Sequence, residues 1–188
     1  MKKSLLLSLL ISAAFMAHAQ TSTSTSTSTY KAFKVDFDLG YAIPSVSTGS
    51  GTKAGATFTI EPHYRLSDAL AVGFRFEGAA LGYEQNNGTT NKVKVSLLTS
   101  YCPSLEYYLS NGGFRPFVGA GAGIFSQQSL AATGSNATLV PGASNFGFFP
   151  EIGFEAGHFR MSADYDVAGN SNNYLSFKIG FFFGGGKK

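Results

Sequence analysis

His63 stands between Glu61 and Arg65 in "EPHYR", and of all the residues it has the type and setting best suited to chemistry. A histidine beside a carboxylate can move protons near neutral pH, and a serine on a neighbouring strand would complete a hydrolytic set. Ser100 and Ser104 are the serines that a strand over 92–109 would bring alongside. The competing reading makes His63 one member of a buried ion-pair cluster, and the pattern around it favours that reading. Cys102 and His158 do not enlarge the set. One cysteine and two distant histidines cannot supply tetrahedral zinc ligation, so neither a metal nor a cofactor is expected. "GAGAG" at 119–123 lacks the following helix and the Lys-Ser/Thr of a phosphate loop. Gly119, Gly121 and Gly123 read instead as a stripe that lets a strand curve or accept a close aromatic neighbour.

The elements that must position these residues are strands. "FKVDFDLGY" (33–41) alternates large apolar with charged residues, and side chains on a strand point to opposite faces with a period of two. The same pattern predicts strands over 32–43, 54–66, 70–83, 92–109, 114–125, 145–157, 159–167 and 173–183. Long Gly/Ser/Thr/Asn-rich connections at 44–53, 84–91, 126–144 and 168–172 alternate with short turns at 67–69, 110–113 and 157–158. Eight strands joined in this way describe an up-and-down meander, and eight is enough to close a small barrel. Pro62, Pro103 and Pro150 cannot donate to a ladder, so bulges or kinks are expected at each.

Sorting by parity separates the charges. One face carries Phe33, Phe37, Tyr41, Phe58, Ile60, Phe74, Phe76, Leu105, Phe148, Ile152, Phe177, Ile179, Phe181 and Phe183 with their like. The opposite face carries Lys34, Asp36, Asp38, Glu61, His63, Arg65, Arg75, Glu77, Lys94, Glu106, Glu151, Glu155, Arg160, Asp164, Asp166 and Lys178. The segment 114–125 does not sort. A soluble barrel would bury the aromatic face around a ligand, whereas a membrane barrel turns it to lipid and keeps a polar lumen. The bulk of the aromatic face, the asymmetry of loop lengths and the need to satisfy every backbone group within lipid favour the second. The expected fold is therefore all-β, an eight-stranded antiparallel up-and-down transmembrane β-barrel, with an ion-pair network filling a lumen too narrow for open water. Tyr41, Tyr64, Tyr107, Tyr165, Phe181 and Phe183 fall where an interfacial aromatic belt belongs.

The ends of the chain carry different signals. "MKKSLLLSLLISAAFMAHAQ" has a basic start, a short apolar run and an Ala-His-Ala cleavage site, the three parts of a secretory signal over 1–19. Residues 20–30, with "TSTSTSTST", read as a flexible leader. The barrel is expected over 31–183 and a short tail over 184–188. Loss of Lys2 and Lys3 would bring the net charge from +3 to +1, which leaves no electrostatic case for nucleic acid. The single cysteine excludes an internal disulfide.

With "AHA", "FKVDFDLGYAIP", "FRPFVGAGAG" and "YLSFKIGFFF" in view, the chain resembles the small eight-stranded outer-membrane β-barrel proteins of Gram-negative bacteria. These are the OmpA/OmpX-like and porin-family barrels, especially of the Bacteroidetes type. The resemblance implies a monomer in outer-membrane lipid, delivered by the outer-membrane assembly machinery through a last-strand signal. Lys178, Gly180 and Phe183 match that signal, while Gly185 stands where its last aromatic belongs. It implies a structural or surface-recognition role, with a possible extracellular ligand or surface met through loops 44–53 and 126–144. A narrow-pore porin, a lipid A-modifying enzyme using His63, and a soluble periplasmic ligand-binding barrel are the alternatives.

Overall fold

The structure, a computed structural model, describes residues 29–45, 51–86, 91–133, 136–169 and 172–188. The proposed signal peptide, the leader up to residue 28 and residues 46–50 of loop 44–53 lie outside the described residues, as does the side chain of Lys94. Eight strands follow in order: β1 Phe33–Pro44, β2 Gly51–Arg65, β3 Leu70–Asn86, β4 Asn91–Tyr108, β5 Phe114–Thr133, β6 Asn136–Ala156, β7 Phe159–Asp166 and β8 Tyr174–Gly184. Each pairs antiparallel with its neighbours in sequence, and β1 pairs with β8, so the sheet closes into a barrel. Closure leaves no free edge and satisfies the backbone within the wall, the condition for crossing lipid with strands.

The alternation seen in the sequence is carried by the wall. Among the residues whose side chains are described, the buried ones are even-numbered in β1, β4, β7 and β8 and odd-numbered in β2, β3, β5 and β6. Outside stand Phe33, Leu39, Tyr41, Phe58, Tyr64, Phe76, Tyr107, Phe148, Ile152, Ile179, Phe181 and Phe183, all exposed. An apolar band with aromatic residues towards its rims is the lipid-facing surface of a membrane barrel.

Three expectations are corrected. Residues 126–144 do not form a long loop. β5 runs for 20 residues and β6 for 21, paired as far as Thr133↔Asn136. Runs of Ser, Gln, Ala, Thr and Gly with no charge hide a hairpin whose partner strand, not its own polarity pattern, holds it extended. Because about 9–11 residues of a tilted strand cross the hydrocarbon, roughly ten residues of each strand project beyond it. The prolines make no bulges. Pro62 faces Val35, Pro103 faces Phe74 and Pro150 faces Ala120 in unbroken register, and the shifts fall instead between Lys53 and Ala56 and between Ser126 and Gln128. Beside Pro62 and Pro103 the pairing on the other flank steps over two residues, from Ile60↔Phe76 to His63↔Gly73 and from Tyr101↔Ile124 to Ser104↔Gly121. A missing N–H is thus absorbed by a skipped ladder position without an inserted residue. The unsorted strand does have two faces: Arg115, Phe117 and Phe125 point inward, and Val118 and Ile124 point outward.

The short turns gather at one end of the barrel. Ser67 Oγ accepts hydrogen bonds from the backbone N–H groups of Ala69 (3.2 Å) and Leu70 (3.0 Å), and Ser110 Oγ accepts from Gly112 (3.1 Å). Gly157 adopts a left-handed φ of 63°, which lacks a Cβ penalty only for glycine. The two chain termini close the same end. Gly184 and Gly185, at φ 75° and 60°, turn the tail off β8. Lys31 N–H then donates to Gly186 O (2.9 Å), Lys188 N–H to Thr29 O (2.9 Å), and Tyr30 forms an antiparallel bridge with Lys187. Tyr30 is buried in the mouth, and its hydroxyl donates to the carbonyls of Asn111 and Gly112, both at 2.9 Å.

Candidate functional site

The charged face identified in the sequence lines the interior. Lys34, Asp36, Asp38, Glu61, His63, Arg65, Arg75, Glu77, Glu106, Glu151, Glu155, Arg160, Asp164, Asp166 and Lys178 are all buried within the closed wall. Because a strand alternates, each contributes its charge only if its neighbours in sequence face lipid, so the same period builds the apolar band and this cluster together.

The side chains collect into two groups. Nearer the turns, Arg160 of β7 is the hub. Its Nη2 donates to Glu151 Oε1 (2.9 Å) and lies 2.6 Å from Glu106 Oε1, while Nη1 lies 3.5 Å from Asp36 Oδ2. Asp38 is at its edge, 3.8 Å from Nε. Lys34 donates to Asp36 (2.9 Å) and Glu155 (2.5 Å). Arg65 adds a second hydrogen bond to Glu155 at 3.1 Å. Tyr108 hydroxyl donates to Glu106 and lies within hydrogen-bonding distance of Glu155 as well, at 2.6 and 2.8 Å. In the second group, towards the other end, Arg75 donates to Asp164 (3.2 Å) and to Asp166. Lys178 donates to Glu77 and pairs with Asp164 at 2.9 Å. Tyr174 and Thr59 hydroxyls complete Glu77 at 2.6 and 2.9 Å.

Parity could have found more of this site. Tyr108 and Tyr174 share the inward parity of Glu106 and Lys178, and only attention to charge left them out. Arg115 sits on the strand whose faces did not sort, and it is buried at the turn end. Above the second group, Ala42, Ala79, Leu81, Leu98 and Tyr174 pack together inside the barrel. These positions carry no charge, but they too share the inward parity of the charged residues on their own strands. Gly121 answers the expectation for the glycine stripe: a Cβ there would strike the ring of Phe149, whose Cζ stands 2.6 Å from that position.

The catalytic alternative can be weighed on geometry. Glu61, His63 and Ser104 do meet, with Gly73 leaving room between them. His63 Nε2 lies 3.1 Å from Glu61 Oε1, but Ser104 Oγ donates to that same carboxylate at 2.5 Å, not to the ring. The serine proton is thus committed to an acid, and the whole set is buried behind the wall, away from the lipid face. Among the described residues, three carboxylate-rich clusters have ligand-like spacing: Asp36–His63–Glu106, Glu61–Glu106–Glu151 and Glu77–Asp164–Asp166. In each, Arg160, Lys34, Arg75 or Lys178 already supplies the compensating cation.

A closed eight-stranded wall with an apolar exterior and a charged interior defines an integral outer-membrane barrel. The chain belongs to the outer membrane protein beta-barrel domain family, whose model matches residues 5–187. A comparison with curated proteins by sequence gives no significant match. Solved structures with the same fold include Neisserial surface protein A, at a TM-score of 0.58 and 18% identity, covering 81% of this chain and 96% of that one. OprG from Pseudomonas aeruginosa superposes at a TM-score of 0.55 with 14% identity, covering 84% of this chain and 98% of OprG. Ail, the attachment invasion locus protein of Yersinia pestis, was solved with the heparin analogue sucrose octasulfate. It superposes at 0.50 with 11% identity, covering 83% of this chain and 99% of Ail.

Proposed function

We propose that the protein is a non-enzymatic outer-membrane barrel that serves as a structural element and a mount for surface recognition. The observation that carries this reading is an interior occupied along its length: paired charges nearer the turns, then the Ala42–Leu81–Leu98–Tyr174 cluster above them. Such an interior fixes the barrel's shape and offers little room for a solute path. In this reading the turn end faces the periplasm and the β5–β6 hairpin stands outside the cell. Export begins with the signal over 1–19, the assembly machinery reads Lys178, Gly180 and Phe183 on β8, and the barrel is a monomer in outer-membrane lipid. The hairpin is the recognition surface, together with the segment at 44–53. Residues 126–144 contain no charged side chain, so a partner there is met through hydrogen bonds and small apolar contacts. Ail's sulfated ligand would call for cationic groups, and this hairpin does not supply them.

The test is a pair of measurements on the refolded protein. Heat-modifiable migration on SDS gels is expected, together with no stable unitary current in planar bilayers. Long-lived conductance steps would overturn the closed-lumen reading and return the narrow pore to first place.

A further inference from the structure

We propose that the turn end of the barrel carries a binding pocket for a small oxyanion, a carboxylate or a phosphate, built around Arg115. A cavity of about 310 Å³ lies there under the terminal crossing, lined by Arg115, Glu155, His158, Lys187 and Tyr30 and by glycine backbone of the turns and tail. That volume is at the lower end of small-ligand sites.

Arg115 is 3% exposed, and its guanidinium carbon lies over the rings of Tyr30 and Tyr108, at 3.9 and 4.0 Å from their centroids. Nη2 donates to Asp68 O (2.7 Å) and Nε to Ser110 O (3.4 Å). Nη1 is buried with no hydrogen-bond acceptor. Its nearest carboxylate oxygen is Glu155 Oε2 at 3.5 Å, and that oxygen already accepts from Arg65 at 3.1 Å. The other Glu155 oxygen accepts from Lys34 and faces the Tyr108 hydroxyl. Glu155 is therefore shared among Arg65, Lys34, Tyr108 and Arg115, and Nη1 of Arg115 is left without a hydrogen bond. A buried donor without an acceptor is costly, and a planar guanidinium is suited to an oxyanion.

The remaining walls fit the same ligand. Lys187, an exposed residue, is among the lining residues, and Glu155 is the one carboxylate there. His158 Nδ1 is 3.0 Å from Phe182 O. A carbonyl can only accept, so Nδ1 carries a proton, and Nε2 would donate to an oxyanion only with a second proton on the ring. Two left-handed glycines, Gly157 and Gly185, bring backbone to the rim without side chains in the way.

The experiment uses the full barrel refolded in phosphatidylcholine nanodiscs and follows the amide signals of Gly112, Gly157 and Gly186 by NMR. Sodium phosphate and N-acetyl-alanine are titrated against sodium chloride at matched ionic strength. A saturating shift confined to the turn end, in the millimolar range or tighter, is expected for the oxyanions and not for chloride. Arg115→Gln should weaken it at least tenfold. Lys187→Glu, on an exposed residue that the fold does not need, should weaken it by a similar factor. Heat-modifiable migration checks that both variants are folded. If phosphatidylglycerol discs shift the same amides with no free anion added, the pocket stands and its oxyanion is a lipid headgroup. A response to free anion alone makes the ligand a soluble one. Linear shifts spread over the surface, or an unchanged affinity in Lys187→Glu, would overturn the pocket.

Discussion

Replacing Arg160 by Met tests whether the interior is held by ion pairing. The guanidinium is buried against Glu106 and Glu151, with Asp36, Glu155 and Asp38 within 3.8 Å. Methionine keeps much of the length and removes the charge. Glu106 retains Lys34 at 3.4 Å, but Glu151 has no other ion-pair partner among the described residues. Breaking a buried pair costs about 3–5 kcal/mol, because the surviving charge stays buried. The guanidinium also stacks on Phe117 at 4.2 Å, which adds about 0.5–2 kcal/mol. Taking about 4 kcal/mol and a urea slope of about 2 kcal/mol per molar, the unfolding midpoint should fall by roughly 2 M.

The assay is urea unfolding of the protein in lipid vesicles, followed by tyrosine fluorescence, since the chain has no tryptophan. Arg160→Lys should fall between, because one ammonium cannot satisfy two carboxylates in a planar fork. Adding Glu106→Gln and Glu151→Gln to Arg160→Met should recover most of the loss, as neutral partners no longer strand a charge. A midpoint within about 0.3 M of the parent for Arg160→Met would refute the reasoning. It would mean that water in the lumen, not the arginine, solvates these carboxylates.

Depth on the outer wall gives a second prediction: Ile179→Arg, mid-strand on β8, should cost about 2–4 kcal/mol, and Phe183→Arg near the rim about 0–1, measured in the same titration. Equal costs would place the lipid boundary elsewhere. Gly180→Val would drive a Cβ against the Asp38 side chain and within 2.8 Å of Asp38 Cα, so a loss of about 1–3 kcal/mol and a smaller heat-modifiable fraction are expected. Leu98→Ala should cost about 2–5 kcal/mol by opening a cavity among Ala42, Ala79, Leu81 and Tyr174. A cost below about 1 kcal/mol would show that this end of the lumen is loosely filled.

The eight strands and their two faces were legible because in a closed barrel one local rule governs the whole wall. Phe33, Phe37 and Tyr41 must leave the side on which Lys34, Asp36 and Asp38 collect, and no distant contact can reverse that without a slip of register. The rule fails where it has no contrast to work on. In "FRPFVGAGAGIF" both faces are otherwise small or apolar, so its lone charge, Arg115, had no face to be assigned to. The hairpin beyond Ser126 was missed for a related reason: above the membrane neither face needs to be apolar, and pairing alone keeps the strands extended.

The termini were illegible for a different reason. Tyr30 is far in the chain from Gly185 and Lys187, and their meeting depends on barrel closure, which brings β1 and β8 side by side. Once that happens, the backbone groups of 29–31 and 185–188 find each other as a short ladder across the mouth, and the Tyr30 ring lands on a guanidinium from β5. Periodicity reports which way a side chain points from its own strand. It cannot report what two ends of a chain do when a sheet rolls up between them, and that is where the Arg115 donor left without a hydrogen bond and its cavity arise.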